Sequence, residues 1–199
     1  MEAFLETTQP EGQADPKSPV EDDVNWGRFA LDILETLILA VVLFLGINAI
    51  SARVRVDGFS MLPTLKDGEF VLVNKLSYRF GVVERGDIIV FHFPVNPKEE
   101  LIKRVIGLPG DHVVIQNQQV SVNDQVINET YIAAEPLYSG EWNVTDGTLF
   151  VLGDNRNDSS DSHAWGLLPY ENVVGKAVLI YWPPPLWEVI KHGEVLAMQ

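Results

Sequence analysis

Cysteine is missing altogether from the 199 residues. Its absence excludes disulfides, thiol catalysis and cysteine-bound zinc together, and leaves the redox compartment open. Basic residues are scarce: 14 Lys and Arg stand against 28 Asp and Glu, a formal net charge of -14. A phosphate backbone needs clustered cations, so nucleic acid is excluded as a partner. Only four histidines occur, His92, His112, His163 and His192. They are scattered without ligand spacing, which argues against a metalloenzyme; neither metal nor cofactor is expected. No internal repeat is evident. What remains is 46% hydrophobic and 21% charged, an ordinary balance for a chain that buries one domain of moderate size with appendages.

The charge is unevenly placed. Residues 1–25 hold Glu2, Glu6, Glu11, Asp15, Glu21, Asp22 and Asp23 against Lys17, with Pro10, Pro16 and Pro19 and almost no aliphatic residue after Leu5. Such a segment cannot bury enough apolar area to offset its ordering entropy, so it reads as a disordered acidic tail. The composition then switches. Phe29 to Ile50 runs FALDILETLILAVVLFLGINAI, with only Asp32 and Glu35 charged, both near its start. At about 1.5 Å per residue this stretch can cross a hydrocarbon core of roughly 30 Å, which predicts one transmembrane helix over 26–52 and the lipid bilayer as a partner. A buried helix of a soluble protein is the alternative. The acidic leader argues against a cleaved signal sequence. Lys17 and Arg28 precede the span while Arg53, Arg55 and Lys66 follow it, so the positive-inside rule gives no clear orientation.

Past residue 52 the texture becomes β. EFVLVNKL (69–76), DIIVFHF (87–93), ELIKRVI (100–106), TLFVLGD (148–154) and VVGKAVLIYW (173–182) are short, rich in Val, Ile and aromatics, and separated by Gly, Asp, Asn and Pro. HVVIQNQQVSVNDQVI (112–127) alternates and breaks at Asn117-Gln118 and Asn123-Asp124, like consecutive hairpins. The expected fold is mostly β: an antiparallel domain over 53–185, with a hairpin insertion at about 112–147, anchored by the N-terminal helix. Residues 186–199 are expected to form a helical or irregular tail.

Three segments carry chemistry. In VDGFSMLPTLKDGEFVLVNK (56–75), Ser60 lies between Asp57-Gly58 and Pro63, on a turn. A turn can aim a hydroxyl and its own N–H at one point, the geometry of a nucleophile with an oxyanion donor; the plain alternative is a serine that bonds its own turn. In LIKRVIGLPGD (101–111), alternation puts Leu101, Lys103 and Val105 on one face and Ile102, Arg104 and Ile106 on the other. Lys103 then either snorkels to water or is desolvated. Desolvation by roughly two to three pKa units leaves neutral amine near physiological pH, which a general base needs. The third segment, GDNRNDSSDSHAWG (153–166), is dense in Asp, Asn and Ser after an apolar strand. It reads as a solvated loop held by side-chain turns. A calcium loop fits poorly, because Arg156 breaks the ligand pattern and the glycine and distal Glu are missing.

Taken in order, an apolar span, GFSMLPTL, RGDIIVF (85–91), KRVIGLPGD and GDNRNDSSDS resemble the bacterial type I signal peptidases over most of residues 29–182. The resemblance implies a Ser–Lys endopeptidase, bound to the bacterial cytoplasmic membrane with its catalytic domain on the outer side. It would cut signal peptides from secretory preproteins after small residues, with the export machinery as a neighbour. It implies Ser60 as nucleophile and oxyanion donor, Lys103 as base and Ser159 as the hydroxyl orienting the lysine. Asp154 and Asp161 would brace the site, Asp154 with Arg104. Val56, Met61, Leu65, Leu101 and Ile102 would line apolar pockets for the substrate, which adds as a strand beside residues 101–105. Two positions depart from the pattern. Gly58 stands where some members carry a serine that helps bind the oxyanion, and His163 where an arginine usually pairs with the last aspartate. The rival readings are a self-cleaving repressor, which lacks a span and carries a DNA-binding module; a penicillin-binding enzyme, which needs Lys where Pro63 stands; and a non-catalytic β module that binds exported chains.

Overall fold

The computed structural model describes residues 26–192; the acidic segment 1–25 and residues 193–199 lie outside the described residues. Trp26–Ile50 form α1, 25 residues of which none is buried. The helix is long and apolar enough to cross a membrane, rising roughly 37 Å at 1.5 Å per residue. Thr36 and Ser51 return their hydroxyls to the carbonyls of Asp32 and Ile47, so neither is left as an open donor on an apolar surface.

From there the chain is a succession of short strands: β1 (Ser51–Arg55), β2 (Phe70–Asn74), the single-turn α2 (Ser77–Phe80), β3 (Ile88–His92), β4 (Glu100–Gly107), β5 (His112–Gln116), β6 (Gln119–Val122), β7 (Gln125–Val126), β8 (Gly140–Asn143), β9 (Thr148–Leu152), α3 (Ser162–Trp165), β10 (Leu168–Pro169), β11 (Val173–Trp182) and β12 (Glu188–Val189). Seven pair in the order β1-β2-β11-β3-β4-β9-β10, with β12 on the second half of β11. A smaller sheet runs β7-β6-β5-β8. Every pairing is antiparallel. The two breaks read from the sequence are two-residue hairpin turns. Asn117, Gln118, Asn123 and Asp124 all have positive φ, the backbone such turns require and one that Asn and Asp tolerate.

Two parts go beyond the sequence reading. Of the two forms expected for the tail, the described residues 186–192 take the non-helical one. A 3-10 turn at Pro184–Leu186 is followed by β12, which pairs Glu188 with Ile180 and Val189 with Leu179. Consecutive prolines remove the backbone donors a helix needs, and β11 offers an open edge there. Second, the choice left open for Lys103 falls on desolvation: Ile102 through Gly107 of β4 are buried on both faces. The strand is central, and its two faces feed different cores. Ile102 packs with Val56, Met61, Val71 and Val90. Leu101 and Val105 pack with Ile89, Phe91 and Val151. Ile106 joins a third core, with Val113, Val122 and Phe150, under the small sheet. At roughly 25 cal/mol per Å² of apolar surface removed from water, these cores hold β4 in place.

Candidate active site

Ser60 sits on the turn after β1, and three contacts fix that turn. Gly58 N–H donates to Asp67 Oδ1 at 2.8 Å. Asn155 N–H donates to Ser60 O at 3.0 Å, and Asn155 Nδ2 to Phe59 O at 3.1 Å. Gly58 itself has φ +99°, a conformation glycine adopts without strain. No hydrogen bond among the described residues uses the Ser60 N–H, so it is free to act as a donor.

Lys103 reaches the same point from the middle of β4. Its Nζ lies 2.8 Å from Ser60 Oγ and donates to Ile102 O at 3.0 Å. The residue is 3% exposed. Burial pulls its pKa down from 10.5 to about 8, against the carboxylates of Asp161 and then Asp154, which favour the ammonium. About a tenth of the amine is then unprotonated at pH 7, against less than a thousandth for a free lysine. The next residue, Arg104, points to the other face and is fully buried with Asp154. Nε and Nη2 meet the two carboxylate oxygens at 2.8 and 2.7 Å. Nη1 donates to Gly86 O at 2.9 Å, and Thr64 Oγ1 to Asp154 Oδ2 at 2.5 Å. One strand thus carries a desolvated amine and a fully paired guanidinium side by side.

Asp161 caps α3. It accepts Gly153 N–H at 2.9 Å and lies 2.6 Å from His163 Nδ1. The ring of His163 stacks on Tyr138 at 4.0 Å, so histidine still contacts the aspartate where arginine was expected. Ser159 behaves differently from the expectation. Its Oγ is buried without a hydrogen-bond partner among the described residues, and Nζ of Lys103 is engaged by Ser60 and Ile102 instead. The hydroxyl is tucked against Gly153, where a Cβ would stand 2.2 Å from Ser159 Oγ and 2.5 Å from Ser60 O.

Val56, Met61, Leu101 and Ile102 line a cleft of about 80 Å³ together with Ser60 and Lys103. Leu65 does not. It is fully buried beneath, in the core with Met61 and Val71, because the turn's backbone bond from Leu65 N–H to Met61 O folds it inward. The cleft is flanked by unpaired backbone. β1 pairs only with β2, and β4 meets β9 only from Arg104 onward, leaving one edge of Glu100–Lys103 open.

Sequence reasoning missed the residues that hold this arrangement from a distance: Thr64, Asn155, and the group Arg156, Glu129 and Tyr131. Arg156, 1% exposed, pairs through both guanidinium nitrogens with the Glu129 carboxylate. Its position inside GDNRND was the available signal, since an arginine in so polar a run needs an anion.

A serine hydroxyl against a buried amine, on an antiparallel β scaffold, can perform acyl transfer. Comparison with known proteins gives the family. A family model described as signal peptidase, peptidase S26, matches residues 30–182. A signal peptidase I of Leptolyngbya laminosa is 42% identical over 188 residues, covering 89% of this chain and 92% of that protein. A probable signal peptidase I-2 of Synechocystis sp. is 42% identical over 166 residues, 78% of this chain and 74% of that one. Among solved structures, a signal peptidase I of Enterococcus faecalis is 30% identical with a TM-score of 0.45, covering 48% of this chain and 97% of that one. The chain belongs to the signal peptidase family, peptidase S26.

Proposed function

We propose that this chain is a membrane-anchored serine endopeptidase that removes N-terminal signal peptides from exported preproteins after small residues, using Ser60 as nucleophile and Lys103 as general base. The observation that carries the reading is the 2.8 Å approach of a 3% exposed lysine amine to a serine hydroxyl. Lys103 Nζ takes the Ser60 proton as Oγ bonds to the scissile carbonyl carbon. The Ser60 N–H receives the developing oxyanion. Collapse of that intermediate breaks the C–N bond, and Nζ returns the proton to the departing amine. Water, deprotonated by the same amine, then releases the acyl group. Asp154, with Arg104, and Asp161 brace the amine.

Substrate binding follows from the open edges. An extended peptide fits between residues 55–57 and 100–103, pairing with free backbone on both sides. Val56, Met61, Leu101 and Ile102 leave a cleft of only about 80 Å³, which favours alanine-sized side chains. The helix α1 is consistent with attachment to the bilayer in which a signal peptide also lies, in a bacterial cytoplasmic membrane with the β domain outside. The test is processing of a precursor bearing an Ala-x-Ala site by the detergent-solubilised chain. Ser60→Ala and Lys103→Ala are each expected to lower kcat at least 10³-fold with unchanged circular dichroism. Retained cleavage by either variant removes the assignment.

A further inference from the structure

Tyr131 belongs to no part of the chemistry described so far. It follows the small sheet, in the segment that leads from β7 to β8, yet its ring lies against the catalytic strand. The Arg104 guanidinium carbon is 3.9 Å from the Tyr131 ring centroid. On its other partners the same residue is fixed by its hydroxyl, which donates to Glu129 Oε1 at 2.7 Å. Glu129 in turn holds Arg156, whose guanidinium carbon is 5.9 Å from the ring centroid. Arg156 Nε donates to Gly153 O at 3.1 Å, directly before Asp154. A cavity of about 280 Å³, lined by Pro63, Thr64, Tyr131 and Ile180 and by Glu188 and Lys191 from the C-terminal segment, opens beside the guanidinium. The ring therefore covers a side of Arg104 that otherwise faces free space.

Building on the Ser60–Lys103 reading, we propose that Tyr131 is a positioning residue: its ring face holds Arg104 in register with Asp154, so that the aspartate's charge is spent on the guanidinium rather than on the lysine one residue away. The physics is local. Arginine over an aromatic face is attracted by the ring quadrupole. Without the ring, Arg104 can turn into the cavity, and its two-point contact with Asp154 loosens. The charges around Lys103 are Asp154 and Asp161 from the loop after β9, with Arg104 on its own strand and His163 against Asp161; at the cleft mouth stand Arg55, Asp57 and Glu100. Both aspartates already favour the ammonium. A less neutralised Asp154 favours it further, so less free amine exists at a given pH.

The test is the pH profile of kcat/KM for cleavage of an Ala-x-Ala precursor by the full chain in detergent, for wild type, Tyr131→Phe and Tyr131→Leu. The Phe variant keeps the ring face and is expected to keep the acid limb within a few tenths of a pH unit. The Leu variant is expected to move that limb upward by about 1 unit, lowering the rate at pH 7 about tenfold while converging on wild type at high pH. A purely structural role would lower the whole curve without moving it. Should Leu unfold the loop, Tyr131→Met fills similar volume without a π face and carries the same expectation. An unmoved limb in a folded Leu or Met variant overturns the proposal. So does an equal shift in Phe, which would put the coupling in the hydroxyl and Glu129. Ser60→Ala runs alongside. If it still cleaves, the reading of the active site fails; if cleavage depends on Ser60 and only the limb stays put, Tyr131 alone is wrong.

Discussion

Lys103 is the residue on which energetic and chemical demands collide. Its pKa falls from 10.5 to about 8 through burial, a bias of roughly 3 kcal/mol against the charged form. The unfolded chain therefore binds a proton that the native state resists between pH 8 and 10.5. Stability rises with pH across that window, and the full penalty is present below pH 8. Replacing the amine by an apolar side chain of similar length should lift the penalty. Lys103→Met is expected to be inactive yet more stable than wild type at pH 7, by about 1–3 kcal/mol in urea unfolding, the gain shrinking towards pH 10.5. The same titration governs rate in the sense of any general base: if Lys103 takes the Ser60 proton as proposed, kcat/KM should fall as pH drops below about 8, because the ammonium cannot accept it. A stopped-flow or fixed-time profile with a non-titrating precursor reads this directly; a curve flat from pH 6 to 9 would mean that another group is the base.

At the scale of elements, the site is a meeting of three chain segments far apart in sequence: the turn after β1, the middle of β4 and the loop after β9. Neither Ser60 nor Lys103 was decided by its own segment: a serine between Asp57-Gly58 and Pro63 could equally bond its own turn, and a lysine with apolar neighbours at alternate positions could snorkel to water. The order of the motifs along the chain singled them out. Their distance was not legible, because it depends on β4 becoming a central strand, flanked by β3 and β9 and buried on both faces by the apolar cores. The same long-range pairing hid Glu129 and Tyr131, which no local pattern links to Arg104 or Arg156. The tail stayed open between helical and irregular because composition cannot show that β11 keeps an edge open for β12. Gly153 tests how tightly the segments are drawn together. An added Cβ would lie 2.2 Å from Ser159 Oγ and 2.5 Å from Ser60 O. Serine 159 can rotate away, but the Ser60 carbonyl belongs to a turn pinned by Asn155. Gly153→Ala should therefore displace Ser60 and, if Ser60 is the nucleophile as proposed, lower kcat about 10²-fold with little change in KM, measured by initial rates over a range of precursor concentrations.

For the whole molecule, the proposed function divides the work between α1 for encounter and the β domain for reaction. A membrane span adds no contact to the scissile bond; it confines enzyme and precursor to one phase and raises their effective concentration. Diluting that phase should undo the effect. In mixed micelles, processing at fixed bulk concentrations should fall roughly in inverse proportion to detergent content, whereas cleavage of a short water-soluble peptide should not. The open edges at β1 and at Glu100–Lys103 carry a consequence of timing. A slot lined on both sides by unpaired backbone accepts only a strand whose own amides and carbonyls are uncommitted. A polypeptide that has already spent those groups on its native pairing at the junction is shut out. Maturation by such a slot must come early, while the junction is still threadlike, and a passenger that collapses too soon would keep its leader.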